Sequence, residues 1–302
     1  MSEETYHIPA LLSETIVGLK IKPDGVYVDA TFGGGGHSRA ILGALGSEGH
    51  LLGFDRDLDA MENAPQDDRF TFVHSDFRFI PNFLRYHGIE KVDGILADLG
   101  VSFHHFDSAE RGFSFRQDSP LDMRMNQLAS RTAADIVQES DAETLTSLFR
   151  AYTDLKNIKG IVNGILKRRA VSPIVTTFDL TEAVRGAINP RQEKKDLAQV
   201  FQALRIEVNG EMDALQALLR NSLKTLRPGG RLAVITYHSI EDRMVKNFIR
   251  SGNIDGKIEK DFYGNVETPW ITIKPSPIMP SAEEQERNPR SRSAKLRIAE
   301  LR

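Results

Sequence analysis

Apolar and polar positions follow two rhythms along this chain. In the first hundred residues, short apolar runs alternate with segments whose apolar residues recur at three- and four-residue spacing. The runs suit buried strands, and the spaced segments suit helices lying on them. Strands are expected over 26–30, 50–54, 70–74 and 92–97, with helices over 38–45, 58–63 and 79–87 between them. From 106 to 205 hardly a strand signal survives, and segments 133–137, 143–152, 158–169 and 180–187 carry helical spacing. Alternation then resumes with a helix over 211–226, a turn at Arg227-Pro228-Gly229-Gly230, a strand over 231–236 and a helix over 240–250. Stretches 257–263 and 270–274 suggest a closing strand pair. The three prolines within 274–280 argue against a central strand there.

Strands separated by helices build a parallel sheet with helices on its faces. The expected fold class is therefore α/β, formed by 1–105 and 206–302 and interrupted by an all-helical insertion over 106–205. A length of 302 residues suits two such units.

The first strand empties into Thr31-Phe32-Gly33-Gly34-Gly35-Gly36-His37-Ser38. Glycines let the backbone approach a ligand closely, and the unpaired N–H groups of the following helix favour a carboxylate or phosphate. A plain surface turn would need only one or two glycines. In such a sheet a nucleotide-type cofactor lies outside the carboxyl ends of the strands, where Asp29, Asp55 and Asp98 stand. Asp55 follows the loop by about 20 residues, the distance at which a carboxylate meets ribose hydroxyls. A dinucleotide loop prefers G-x-G-x-x-G, whereas Ser38 occupies the third glycine position here. That disfavours a nicotinamide oxidoreductase and favours S-adenosylmethionine.

TFGGGGHS, the DRD at Asp55–Asp57, GILADLGVS, RGFSF, PLDMRM, FQALRIEVN, YHSIEDR and NPRSRSAKLR resemble, in order and almost end to end, the motifs of the bacterial 16S ribosomal RNA (cytosine-N4) methyltransferase family. The resemblance implies a class I S-adenosylmethionine-dependent methyltransferase fold, a Rossmann-like sheet with a helical insertion. It also implies a target cytidine in the decoding region of the small ribosomal subunit. Carried over by position, the cofactor contacts fall on Gly35, Gly36, His37, Asp55, Phe77 and Asp98. Where the family carries a glutamine after DLGVS, this chain has His105, retained as a cofactor contact because imidazole offers one hydrogen bond. Stretches 151–158 and 189–200 depart from the family pattern.

The exocyclic amine of cytosine is a poor nucleophile, because its lone pair is delocalised into the ring. An acceptor for its hydrogens is needed. Asp98 is the first candidate, joined as catalytic candidates by His238 and Ser239 at the end of the 231–236 strand. Glu241 and Asp242 are candidates to orient the base, although Ser239 followed by two acids is also an ordinary helix start. Arg111, Phe113, Phe115 and Arg116 are candidates to hold an unstacked base, and alternating aromatics equally suit a core.

The net charge of −3 argues against non-specific coating of nucleic acid, yet 287–302 holds six basic residues against Glu300 alone. That end is expected either to contact phosphates or to be solvated. Without cysteine there is neither a disulfide nor a thiolate metal site, and His104-His105 alone is a weak ligand pattern. No metal is expected. No apolar stretch is long enough to span a bilayer, and the acidic start lacks the basic opening of a secretory signal. The expected setting is the cytoplasm, with 16S rRNA in the small ribosomal subunit as partner. An RNA-binding assembly factor that keeps the fold without catalysis is the alternative of another class.

Overall fold

The computed structural model describes residues 9–100, 111–264 and 266–302. Seven strands form one sheet: β1 (Val26–Asp29), β2 (His50–Asp55), β3 (Phe70–His74), β4 (Val92–Asp98), β5 (Leu226–Thr236), β6 (Trp270–Ile278) and β7 (Lys295–Leu301). Their order is β3-β2-β1-β4-β5-β7-β6. The first five are parallel, and β7 runs antiparallel between β5 and β6. This is the sheet of the class I S-adenosylmethionine-dependent methyltransferases. Strand order reverses between β1 and β4, so the crevice for a ligand opens at their carboxyl ends.

Period-two alternation accounts for the two cores. Val28, Leu52, Phe54, Ile95, Ala97, Leu232 and Val234 face one side, packing with Ile80, Leu84, Leu215, Leu219 and Phe248 from helices Ile80–Tyr86, Glu211–Thr225 and Ser239–Ser251. Tyr27, Leu51, Leu96, Ala233 and Ile235 face the other, against Leu19, Ile41 and Leu42 from helices Leu12–Leu19 and Gly36–Ala44. Both faces are covered, which explains the nearly continuous apolar runs.

By its contacts the chain divides into two units, one of 9–100 with Met212–Arg302, the other of 111–211. The second holds helices Ala133–Glu139, Ala142–Tyr152, Ile158–Val171, Thr177–Arg185 and Glu193–Asn209 around a core that includes Leu145, Phe149, Ile165, Leu180 and Leu204. Thr132 with Asp135, and Thr176 with Asp179, close capping boxes at two of these helix starts. Each such cap stabilises its helix by about 1 kcal/mol.

Two sequence expectations change. Residues 257–263 form no ladder strand, only an isolated bridge from Lys260 to Val266. Phe262 and Tyr263 are 98% and 86% exposed, so the alternation there has no surface to pack on. The prolines of 274–280 fall in β6, an edge strand and not a central one, as they require, and its register to β7 shifts between Ile273 and Ile278. Most consequentially, the basic end is no solvated tail. Residues Lys295–Leu301 are β7, inside the sheet, with Leu296 and Ile298 buried and Arg297 paired to Asp242.

Candidate active site

The carboxyl ends of β1 to β4 are built around the glycine loop. Gly33 and Gly35 have φ of 51° and 71°, a left-handed backbone that side chains disfavour. A Cβ on Gly35 would lie 2.9 Å from the Phe32 ring, one on Gly36 would collide with the Pro9 ring, and Gly34 faces open space. Asp55 ties the loop to the end of β2: one oxygen accepts from the Gly33 N–H and the other from the Asp57 N–H, each at 2.8 Å. Phe77 follows β3 as a buried ring, with the Arg56 guanidinium 5.6 Å from its centre and that arginine paired to Asp76 at 2.9 Å. Asp29 is buried and accepts from Ser38 Oγ at 2.7 Å and the Thr31 N–H at 3.1 Å, bracing the loop from within. An open cradle over Gly34, a carboxylate after β2 and a ring after β3 fit a nucleoside cofactor whose polar end meets the helix start.

Asp98 closes β4. Its N–H donates to Thr31 Oγ1 at 2.6 Å, its Oδ1 accepts from the Gly100 N–H at 3.4 Å, and the Tyr237 hydroxyl hydrogen-bonds the carboxylate. With its side chain 19% exposed, loss of water raises the Asp98 carboxyl to about 6; the Tyr237 and Gly100 hydrogen bonds hold it down, while nearby Glu241 pushes it up. His37 lies close, with Nδ1 3.8 Å from Asp98 Oδ2, too far for a hydrogen bond. Its Nε2 contacts the Ala10 carbonyl at 3.2 Å, so Nε2 carries the proton. Burial lowers the proton affinity of His37 against the pull of Asp29 and keeps the ring neutral. What His37 offers the loop is therefore its backbone at the helix start, since its ring is engaged inside.

YHSIEDR turns from β5 into the helix Ser239–Ser251. His238 is the N-cap: Nδ1 accepts from the Glu241 N–H at 3.5 Å, and Glu241 Oε2 accepts from the Tyr237 and His238 N–H groups at 3.0 and 3.4 Å. His238 Nε2 sits 2.9 Å from Glu241 Oε1 yet lacks an aligned hydrogen-bond partner among the described residues. Two expectations are corrected: Glu241 is buried as a brace for Tyr237 and His238, and Asp242 is taken by Arg297 at 2.8 Å and Lys295 at 3.6 Å. Ser239 is exposed, and the helix cap falls on His238.

The family model of the MraW methylase family matches residues 4–302. The chain belongs to the MraW methylase family. Two similar relatives are both named Ribosomal RNA small subunit methyltransferase H. That of Phocaeicola vulgatus is 57% identical over 301 residues, covering 100% of this chain and 99% of the relative. That of Parabacteroides distasonis is 58% identical over 299 residues, covering 99% and 98%. Among solved structures, a putative rRNA methylase from Clostridium thermocellum is similar at a TM-score of 0.45 and 14% identity, covering 98% of this chain and 100% of that one.

In this member of the family, the base-holding candidates of the helical unit prove mostly internal. Arg111 is buried and donates to the Arg124 and Met125 carbonyls at 2.8 and 3.0 Å. Phe113 belongs to the helical core, and Phe115 packs edge-on against Phe201 at 5.5 Å. Their alternation is that of packing, which corrects the stacking expectation. Arg116 alone of the four is exposed. In the basic run Lys167-Arg168-Arg169 of the helix Ile158–Val171, Arg168 pairs with Asp179 at 2.8 Å and Arg169 donates to the Val137 and Ser140 carbonyls. His105 lies outside the described residues. Sequence reasoning passed over Tyr237, whose only signal was a polar ring directly after the strand that neighbours β4. No described helix is long and apolar enough to cross a membrane.

Proposed function

We propose that this protein transfers a methyl group from S-adenosylmethionine to the N4 amine of a cytidine in the decoding region of 16S rRNA, acting in the cytoplasm on an assembled or nearly assembled small subunit. The observation that carries the reading is Asp98 at the switch point of the sheet, facing the glycine loop, with a proton affinity lifted toward neutrality. The family membership and the names of the relatives support RNA of the small subunit as substrate. The cytidine and its N4 atom rest on the motif resemblance.

S-adenosylmethionine, when bound, supplies a methyl on a sulfonium sulfur that keeps the bonding electron pair as the methyl departs. Gly35, Gly36 and the backbone of His37 hold its amino-acid end, Asp55 its ribose and Phe77 its adenine. The amine nitrogen forms the new bond with its lone pair and releases one proton, which Asp98 accepts and passes to water. An ionised Asp98 also draws the amine hydrogens toward itself, turning the nitrogen lone pair out of the ring system. Leu99 and Gly100 form the floor, and His238 orients the base from the β5 side. Much of the remaining acceleration comes from alignment of an already activated methyl with the amine. Arg116 is retained as an RNA contact.

The test is transfer of labelled methyl from S-adenosylmethionine to small subunits taken from cells that lack the modification. Incorporation into the 16S RNA, absent when subunits already carry the methyl group, is the expected outcome. Absence of transfer to subunits that accept methyl from a control enzyme would overturn the reading.

A further inference from the structure

Tyr237 joins the two sides of the catalytic edge. Strands β4 and β5 pair so that Asp98 lies beside Ile235, and the Leu99 N–H donates to the Ile235 carbonyl at 3.0 Å. Two residues further on, Tyr237 is fixed in three ways. Its N–H donates to Glu241 Oε2 at 3.0 Å. Its ring lies flush against Gly100, where a Cβ would come within 2.8 Å of Cε2. Its hydroxyl hydrogen-bonds the Asp98 carboxylate. Burial and the acids around it raise the proton affinity of the phenol, so Tyr237 stays protonated and acts toward the carboxylate as a donor.

We infer that Tyr237 is a positioning residue for the proposed methyl transfer: its hydroxyl aims the Asp98 carboxylate at the amine, and Glu241 acts through it by fixing its backbone. The inference rests on the reading of Asp98 as proton acceptor. A hydrogen bond donated to a carboxylate favours its ionised form, the only form that accepts a proton. The surroundings otherwise oppose that form. Buried Glu241 carries charge of the same sign, His37 is neutral, and the only other donor to the carboxylate among the described residues is the Gly100 N–H. The same packing explains why residue 100 is glycine, since any side chain would displace the Tyr237 ring. The cap geometry of His238 and Glu241 thus gains a purpose beyond starting a helix, because it sets where the tyrosine backbone leaves β5.

Tyr237→Phe keeps the ring and removes the donor. The expected result is unchanged S-adenosylmethionine affinity and unchanged KM for small subunits. The acidic limb of the kcat profile moves up by about one to two pH units. In consequence kcat falls roughly tenfold at pH 6.5 and recovers toward wild type at pH 9, a recovery that a merely structural defect would not show. Glu241→Gln keeps an acceptor for the Tyr237 N–H and removes the neighbouring charge, so its limb moves to lower pH. Both shifts are read independently of activity by 13C NMR titration of the Asp98 carboxyl in cofactor-free protein. Identical Asp98 titrations in wild type and Tyr237→Phe, or displacement of both variants in the same direction, would overturn the inference. If the titrations move as expected while the wild type methylates no subunit, the coupling of Tyr237 to Asp98 stands and the proposed reaction falls.

Discussion

Replacing Asp98 with Asn removes the acceptor and its charge while preserving the shape of the side chain, and the structure gives the size of the effect. Burial lifts the carboxyl from 3.8 to about 6. The folded chain therefore holds this proton in a pH range where the unfolded chain has lost it, so ionisation above pH 6 opposes folding. About two pH units at roughly 1.4 kcal/mol each make the cost ~3 kcal/mol. That cost is complete well above pH 6, about half present at pH 5 and gone below the unfolded value near 4. Asn carries no such cost. In urea unfolding of the cofactor-free protein, the stability of Asp98→Asn relative to wild type should rise by roughly 1.4 kcal/mol between pH 5 and pH 8. Methyl transfer should fall by about 10²- to 10⁴-fold, the usual worth of a general base. A stability difference that does not change with pH would refute the burial argument, and full turnover would remove Asp98 as acceptor.

Other consequences follow from the packing. In wild type, kcat should rise with pH through about 6 and level off above 7, as Asp98 ionises; a profile flat from pH 5 to 8 would contradict this. Gly35→Ala forces a side chain into a left-handed backbone against Phe32, which should cost about 1–2 kcal/mol of stability and weaken S-adenosylmethionine binding measured by calorimetry. Removal of residues 291–302 deletes β7 and should abolish the folded sheet by circular dichroism; a folded protein altered only in the salt dependence of RNA binding would restore the tail reading. Phe113→Ala should destabilise the helical unit by about 3 kcal/mol and leave cofactor affinity unchanged.

Much of this fold was legible because the strands of a parallel sheet are buried on both faces and announce themselves as apolar runs. The glycine loop was legible for a related reason, since Gly33 and Gly35 adopt a backbone that few residues tolerate. β7 was missed because a basic strand reads as solvated. Arg297 becomes compatible with the interior through Asp242 and Ser276, partners distant in sequence that the strand itself does not reveal, and Lys295 reaches Asp242 from a partly exposed position. Phe113 and Phe115 failed in the opposite direction, because alternating aromatics look the same whether they line a core or face a base. Of YHSIEDR, the acids were read as groups facing substrate, whereas their hydrogen bonds point inward. Tyr237 became visible only when β4 and β5 were paired and brought its hydroxyl to Asp98.

The central claim is that this edge of the sheet methylates the amine of a cytidine, and the most direct test identifies the product. Small subunits lacking the modification would be incubated with the protein and isotopically labelled S-adenosylmethionine, and their 16S RNA digested to nucleosides for mass spectrometry. The account predicts labelled N4-methylcytidine with wild-type protein and none above background with Asp98→Asn. Label on a ring carbon, on a ribose hydroxyl or on another base would contradict it, as would undiminished N4-methylcytidine from the variant.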